Sequence, residues 1–273
     1  MFTTSILLPY IDPVALKISA INIHWYGISY LLGILFGWYY LKYICRKAHK
    51  YEIEINISDL SDVIPWVVFG ILLGGRLGYV FFYDIYYFID YPLDIIKIWT
   101  GGMSFHGGLI GLVIALYYFT KRRGKKFFIM MDLVAIAAPI GLFFGRIANF
   151  INAELIGKVS NVNWAIIYPA EELIARHPSQ IYEAILEGIL LFFILFYLTQ
   201  KYSLLAKSGF ASALFLVLYG FFRIICEFYR LPDQHIGYLI NENITMGMII
   251  SLPMILFGIV LLIYKRNENE QKS

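Results

Sequence analysis

The sequence predicts an all-α, polytopic membrane protein of about seven transmembrane helices, and three observations predict it. Apolar side chains make up 60% of the 273 residues and charged ones only 15%, more apolar surface than one soluble domain of this size can hide. Several apolar runs approach the roughly 20 residues that a helix needs to cross the hydrocarbon core of a bilayer. The basic residues are concentrated in every second connection between those runs. A mean hydropathy of +0.69 agrees with lipid as the missing solvent.

Taken in order, residues 1–23 are broken by Asp12-Pro13 and are too interrupted to span. Ile18, Ile21, Ile23 and Trp25 suit an N-terminal arm lying in the membrane interface. The stretch lacks the basic leader, short apolar core and cleavage site of a signal peptide, with Lys17 coming late, so it is expected to be retained. Spans are expected at about 24–43, 62–83, 104–120, 128–148, 180–199, 209–228 and 244–264. The longest non-spanning stretch, about 149–179, mixes Asn, Gly, Trp and Pro with Glu154, Glu171 and Glu172 and reads as a small extracytoplasmic head. Residues 24–265 then form a single transmembrane domain, and residues 266–273 a short cytoplasmic tail.

Basic residues set the orientation, because cytoplasmic loops of membrane proteins carry the excess of Lys and Arg. One alternate set of connections holds Arg46, Lys47, Lys50, Lys121, Arg122, Arg123, Lys125, Lys126, Lys201, Lys207, Lys265, Arg266 and Lys272, thirteen in all. The other holds Lys17, Lys97, Lys158, Arg176 and Arg230. Thirteen against five places the N-terminus outside and the C-terminus in the cytoplasm, which requires an odd number of spans. A net charge of +3 without a basic patch gives no sign of a nucleic-acid partner. Cys45 and Cys226 sit far apart in different segments, with no spacing that suggests a metal site, a disulfide or a redox pair. No metal cluster or nucleotide-binding motif is visible, so no cofactor is expected.

Three arginines fall inside or at the edge of the expected spans: Arg76, Arg146 and Arg223. Each costs roughly 2.5–3.5 kcal/mol at a helix centre on insertion scales and so needs a partner or a purpose. Counted from the outer ends, Arg76 lies about seven residues in, Arg223 about five and Arg146 about two, which keeps them within about 10 Å of one depth. His106 and Tyr26 start the third and first spans from that same side. Tyr219, Arg223 and Glu227 stand at i, i+4 and i+8 on one helix face, with Arg230 nearly a turn further. Arg146 and Asn149 share a face, as do Gln180 and Glu183, with Glu187 one turn deeper. Guanidinium forks and amides at this density suit an anionic, oxygen-rich ligand, and a lipid headgroup phosphate in the bilayer is the natural candidate. Gly101-Gly102 and Gly107-Gly108 bracket His106 and let the backbone turn sharply there, while Gly70, Gly74 and Gly75 allow helices to pack closely.

The same residues admit structural readings. Arg223 with Glu227 can be a structural ion pair, His106 a structural imidazole, Gly74-Gly75 a packing device, and Glu183 and Glu187 partners of a neighbour. The leading functional rival is a transporter of an anionic lipid or metabolite, since charged membrane residues often line a substrate path. Transporters, however, often show paired half-repeats and midplane sites, and the sequence displays neither. An intramembrane protease lacks its serine elbow, paired aspartates or HExxH here.

The run Gly145-Arg146-Ile147-Ala148-Asn149-Phe150-Ile151-Asn152-Ala153-Glu154-Leu155-Ile156-Gly157 is long and specific. Further blocks follow its pattern in order: His24-Trp25-Tyr26-Gly27; Gly74-Gly75-Arg76-Leu77-Gly78-Tyr79; Gly101-Gly102-Met103-Ser104-Phe105-His106-Gly107-Gly108; and Arg176-His177-Pro178-Ser179-Gln180-Ile181-Tyr182-Glu183. The last comprises Tyr219-Gly220, Arg223, Glu227, Arg230, Pro232 and Asp233. At these residues, from about 5 to 265, the chain resembles the prolipoprotein diacylglyceryl transferases of the bacterial plasma membrane. It departs from that pattern at Ala153, where the family often has Gly, and at Ile156-Gly157-Lys158, where Trp-Gly-Arg is more usual.

The resemblance implies transfer of the diacylglyceryl group of phosphatidylglycerol to the lipobox cysteine thiol of a preprolipoprotein signal peptide, with a thioether formed and glycerol 1-phosphate released. Attack at an sp3 carbon expels a phosphate monoester whose charge grows in the transition state, so fixed positive charge gives the best assistance. Arg146 and Arg223 are expected in that role, with Tyr26 as a hydrogen-bond partner and His106 as a candidate acceptor of the thiol proton. Asn149, Arg76, Asn152 and Tyr219 are expected with Arg146 around the headgroup. Glu154, Gly157, Gln180, Glu183, Glu227 and Arg230 are expected to support and orient them. The nucleophile belongs to the substrate peptide, so no catalytic cysteine is needed.

Overall fold

The computed structural model describes residues 5–19, 21–98, 101–169, 172–232, 237–240 and 244–270. In chain order these form β1 (Ile6–Leu7), β2 (Val14–Ile18), β3 (Ile21–His24), α1 (Trp25–Arg46), α2 (Ile57–Phe82), α3 (Ile85–Asp90), α4 (Phe105–Arg123) and α5 (Phe127–Ile151). There follow β4 (Ile166–Tyr168), β5 (Glu172–Arg176), α6 (Ser179–Glu183), a π-helical stretch (Ala184–Leu190), α7 (Leu191–Tyr202), α8 (Phe210–Glu227), β6 (Tyr238–Ile240), β7 (Ile244–Thr245) and α9 (Met246–Glu270). Among the described residues, six stretches are long and apolar enough to cross a bilayer: α1, α2, α5, the continuous run Ser179–Tyr202, α8 and Met246–Asn267 of α9. The chain is therefore an all-α polytopic membrane protein with small sheets outside its long helices. The helix expected as a further span, α4, is 19 residues long and ends in Lys121, Arg122 and Arg123, which dilute its hydropathy.

The chain divides into two compact units, Lys42–Met131 on one side and Met1–Leu41 with Asp132–Ser273 on the other. The first is built on α2 against α4. A Cβ placed on Gly74 would lie 2.3 Å from the Gly107 carbonyl oxygen, and one on Gly111 only 2.0 Å from that of Gly70. Glycines at four-residue spacing thus let two backbones touch, the device by which membrane helices gain packing where lipid offers no hydrophobic drive. Gly107-Gly108, expected as a turn, lies inside α4 and serves this contact, whereas Gly101 and Gly102 do adopt left-handed φ of +88° and +77°. Ser104 caps α4 by accepting the Gly107 N–H at 3.3 Å, and Gly124 ends it in the left-handed region. At its other end Lys125 pairs with Asp59 at 2.9 Å, and the Asp59 carboxylate accepts the Asn56 N–H at the start of α2.

In the second unit the N-terminal arm resolves into strand and hairpin. β2 and β3 pair antiparallel, while β1 runs parallel to β4, which pairs antiparallel with β5. The first strand is thus stitched into the sheet of the expected head. Glu171 of that head and Asp233 of the last sequence block lie outside the described residues, as does the tail end, residues 271–273. Further along, α1 meets α5 where a Cβ on Gly33 would stand 3.0 Å from the Gly141 Cα. The α8 start is held by a buried carboxylate: Asp132 of α5 accepts the Gly209 N–H at 2.6 Å, the Ser212 N–H at 2.7 Å and the Ser212 hydroxyl at 2.7 Å. Free N–H groups at a helix start need such acceptors when water is excluded. Gly209, at φ +96°, packs against the aliphatic stem of Lys265 from α9.

Because three donors converge on that one carboxylate, Asp132→Ala is expected to destabilise the protein by roughly 2–4 kcal/mol, and Asp132→Asn by less, since an amide oxygen still accepts. Thermal midpoints of the full-length protein in one detergent check this. Equal midpoints for wild type and Asp132→Ala would show that the cap is dispensable.

Candidate active site

Site residues of the second unit come from three helices. The last turns of α5 bring Arg146 and Asn149; α6 and the π-helical stretch bring Gln180, Glu183 and Glu187; α8 brings Tyr219, Arg223 and Glu227, with Arg230 just beyond its end. The π-helical stretch matters because its wider turn presents Glu183 and Glu187 from one side. Gly188 lets this stretch press on α5: a Cβ there would lie 2.7 Å from the Phe143 Cβ and 2.9 Å from its Cα. That close approach puts Glu187 beside Arg146.

Arg146 and Arg223, from different helices, share two carboxylates. Arg146 Nε stands 3.2 Å from Glu183 Oε2 and its Nη2 donates to Glu187 Oε2 at 3.1 Å. Arg223 Nη1 donates to Glu183 Oε1 and lies 3.6 Å from Glu187 Oε1, and its Nη2 donates to Glu227 Oε1. Arg230 joins by donating to Glu183 Oε1 at 3.2 Å. Glu183 and Glu187 have no exposed surface, and the two arginine side chains are only 15% and 13% exposed, so the whole network is nearly removed from solvent. Charges removed from water in this way persist only when paired. The formal charges of these three arginines and three glutamates balance.

Glu227 is held from a further side. Thr245 Oγ1 donates to its Oε2 at 2.7 Å, and Gly247 at the start of α9 leaves it room, since a Cβ there would stand 2.3 Å from Oε1. Tyr219, expected near the headgroup, is buried on the same face of α8 as Arg223.

A second chain of contacts runs from Tyr26 at the start of α1. Its hydroxyl donates to the Glu154 carboxylate and accepts from Asn149 Nδ2. Glu154 is positioned by its backbone: its N–H donates to the Asn149 carbonyl at 2.9 Å, and its carbonyl accepts Gln180 Nε2 at 2.6 Å. Gln180 is fixed in turn by the Tyr168 hydroxyl at 3.1 Å; burial raises that phenol above its ordinary pKa, so it keeps the proton it donates. Ala153 and Leu155, on either side of Glu154, have φ of +56° and +55°. The departure at Ala153 therefore falls where the backbone is left-handed, the conformation that favours Gly. Gly157 is needed for contact, because a Cβ there would lie 2.1 Å from the His177 carbonyl oxygen. Asn152 Oδ1 is buried with no hydrogen-bond partner among the described residues.

The first unit carries Arg76 and His106. Arg76 is buried, and its guanidinium donates to the carbonyls of Ile95 at 2.9 Å, Asp94 at 2.6 Å and Gly102 at 3.1 Å, and also to that of Gly101. It lies 5.1 Å from the Phe88 ring centre. Carbonyl oxygens, rather than acidic side chains, thus satisfy this arginine, and they tie the segment ahead of α4 to α2. His106 is exposed in the first turn of α4, edge-on to Phe105.

The arrangement joins Arg146, Asn149, Gln180, Glu183, Glu154, Tyr219, Arg223, Glu227, Arg230 and Tyr26 within one unit; helical spacing had grouped only Tyr219 with Arg223 and Glu227, Arg146 with Asn149, and Gln180 with Glu183. Sequence alone assigned Glu187 no more than pairing with a neighbour, and Thr245 no role. Glu187 was noticeable as an intramembrane carboxylate four residues after Glu183, while Thr245 and Gly247 carry no signal beyond their type.

Comparison with known proteins agrees with these features. The family model described as prolipoprotein diacylglyceryl transferase matches residues 13–264. A protein of Ectopseudomonas mendocina named phosphatidylglycerol–prolipoprotein diacylglyceryl transferase is 49% identical over 262 residues, 94% of this chain and 96% of its own length. Proteins of the same name from Allorhizobium ampelinum and Rickettsia bellii are 47% and 46% identical, covering 93% of this chain in each case and 90% and 95% of their own lengths. The chain belongs to the prolipoprotein diacylglyceryl transferase family.

Proposed function

We propose that this protein transfers the diacylglyceryl group of phosphatidylglycerol to the lipobox cysteine of a preprolipoprotein, forming a thioether and releasing glycerol 1-phosphate. The observation that carries this reading is the meeting of Arg146 and Arg223, from separate helices, over two shared buried carboxylates. The peptide thiolate attacks the sp3 carbon of the glyceryl C–O bond, and the electron pair of that bond leaves on the phosphate oxygen. The leaving phosphate gains one negative charge, and guanidinium groups held in place beforehand stabilise that gain without reorganising.

Asn149 and Tyr26 complete the hydrogen bonds of the headgroup, with Glu154 holding Tyr26. Asn152, whose buried oxygen has no partner among the described residues, offers a further acceptor for a glycerol hydroxyl. Tyr219 borders the arginines, while Gly157, Gln180, Glu183, Glu227 and Arg230 position them. His106, exposed in the first turn of α4, is the acceptor of the thiol proton in this reading. Arg76 contributes by ordering the segment ahead of His106, which its carbonyl partners support.

The protein sits as a multi-pass protein of the bacterial plasma membrane, with α4 as a seventh span beside the six more apolar stretches. Thirteen basic residues against five orient the N-terminus outward and the C-terminus to the cytoplasm, and the site toward the extracytoplasmic leaflet. Residues 24–265 act as one catalytic domain, with residues 1–23 as an arm and 149–179 as a head.

Detergent-solubilised protein given phosphatidylglycerol and a lipobox peptide is expected to yield one glycerol phosphate for each lipidated peptide, as followed by mass spectrometry; intact substrates would instead favour a carrier. Arg146→Gln and Arg223→Gln are each expected to lower kcat/KM by about 10²–10³-fold with the fold retained, the scale of losing one donor to a developing oxyanion. His106→Gln is expected to lower kcat/KM by about 10²-fold, the scale of losing one general base. Near-normal turnover would remove the imidazole from the proton path.

A further inference from the structure

The three buried carboxylates of the arginine network are not held alike. Glu183 touches Arg146, Arg223 and Arg230. Glu227 is fixed by Arg223 and by Thr245, and it fills the space that Gly247 leaves. Glu187 has only Arg146 and Arg223 as charged partners among the described residues, and those are the two guanidinium groups that the transfer reaction assigns to the lipid phosphate. One of its oxygens, Oε1, is buried with no hydrogen bond among the described residues, its nearest cation being Arg223 Nη1 at 3.6 Å. It also sits on the π-helical stretch, a local irregularity often found at functional sites.

Charge balance then sets a condition. With Arg146, Arg223 and Arg230 facing Glu183, Glu187 and Glu227, the network is neutral, so an incoming phosphodiester adds one uncompensated negative charge in a water-poor site. The same guanidinium donors cannot serve carboxylate and phosphate together. The groups facing Glu187 are Arg146 from α5, Tyr219, Arg223, Cys226 and Glu227 from α8, and Glu183 on its own helical run. Among the carboxylates, only Glu187 can be released without detaching Arg230 or Thr245.

We propose that Glu187 is the positioning residue that the lipid phosphate displaces from Arg146 and Arg223, taking up one proton from solvent as it is released and returning it when the phosphate product leaves. In the resting enzyme it holds both guanidinium forks in register; in the loaded enzyme it is neutral and the phosphate takes its place. No bond other than this O–H is made or broken in the exchange. The inference rests on the assignment of the arginines to a lipid phosphate, and it adds that binding is coupled to protonation.

The test is calorimetric titration of the full-length protein in detergent with short-chain phosphatidylglycerol, whose phosphodiester does not itself titrate near neutral pH. Runs in two buffers of different ionisation enthalpy count the protons taken up. Wild type is expected to take up about one proton per lipid bound and to bind about tenfold more weakly for each unit of pH increase, the linkage of a single proton. Glu187→Gln is expected to take up none, to lose that pH dependence and to bind about tenfold more tightly, because a neutral amide no longer competes for the arginines. A merely structural role predicts weaker binding with the wild-type proton count. Lipid binding by wild type with no proton uptake, or uptake that survives in Glu187→Gln, overturns the proposal. The wild-type count needs no variant, so a poorly folded Glu187→Gln leaves the test intact. Absence of lipidated peptide in the transfer assay would instead overturn the reaction, independently of the proton count.

Discussion

Two guanidinium groups sharing two buried carboxylates is the arrangement on which the rest of this site depends. Arg146 and Arg223 are 77 positions apart in the sequence, on different helices, and meet with Glu183 and Glu187 between them. In a bilayer such groups have no water to fall back on, so each charge must be answered within the protein. The answer also keeps two cations together that would otherwise repel. The two cations are therefore held in place without any ligand, with acidic side chains occupying their forks.

Small residues make that geometry reachable. Gly188 brings the π-helical stretch onto α5, and Gly247 gives Glu227 the space to reach Arg223 and Thr245 together. Asp132 secures the opposite end of α8, where three donors would otherwise be unpaired. In the Lys42–Met131 unit the same economy of side chain lets α2 and α4 touch through Gly70, Gly74, Gly107 and Gly111. There Arg76 shows a different solution to a buried cation, being satisfied by backbone carbonyls, which are strong acceptors wherever a loop leaves them free. Arginines that look alike in the sequence thus divide by partner: carboxylates for Arg146 and Arg223, carbonyls for Arg76.

Much of this was legible beforehand. Long apolar runs gave the spanning helices to within a few residues, because the hydrocarbon core imposes a length and leaves the backbone no alternative to the helix. Helical spacing alone grouped Tyr219, Arg223 and Glu227 on one face, and Arg146 with Asn149 on another. The strands were not anticipated: β1 to β5 are short, and their pairing joins residue 6 to residue 166, a long-range choice with no local signal. Gly107-Gly108 shows the same limit. A glycine pair is compatible with a turn or with a helix contact, and only the presence of Gly74 across the interface selects the second.

The chain's order of residues was enough to establish a membrane protein of many helices, its family, and which polar side chains are too costly in lipid to be accidental, since solvent transfer and helical period act residue by residue. It could not say which cation answers which anion. That choice rests on distances between helices, and here it was made by the π-helical stretch and by the glycines that set how closely the helices approach. Glu187 gained its place through them: one carboxylate among several in the sequence, it becomes a bridge between Arg146 and Arg223 only once α5, the π-helical stretch and α8 are packed together.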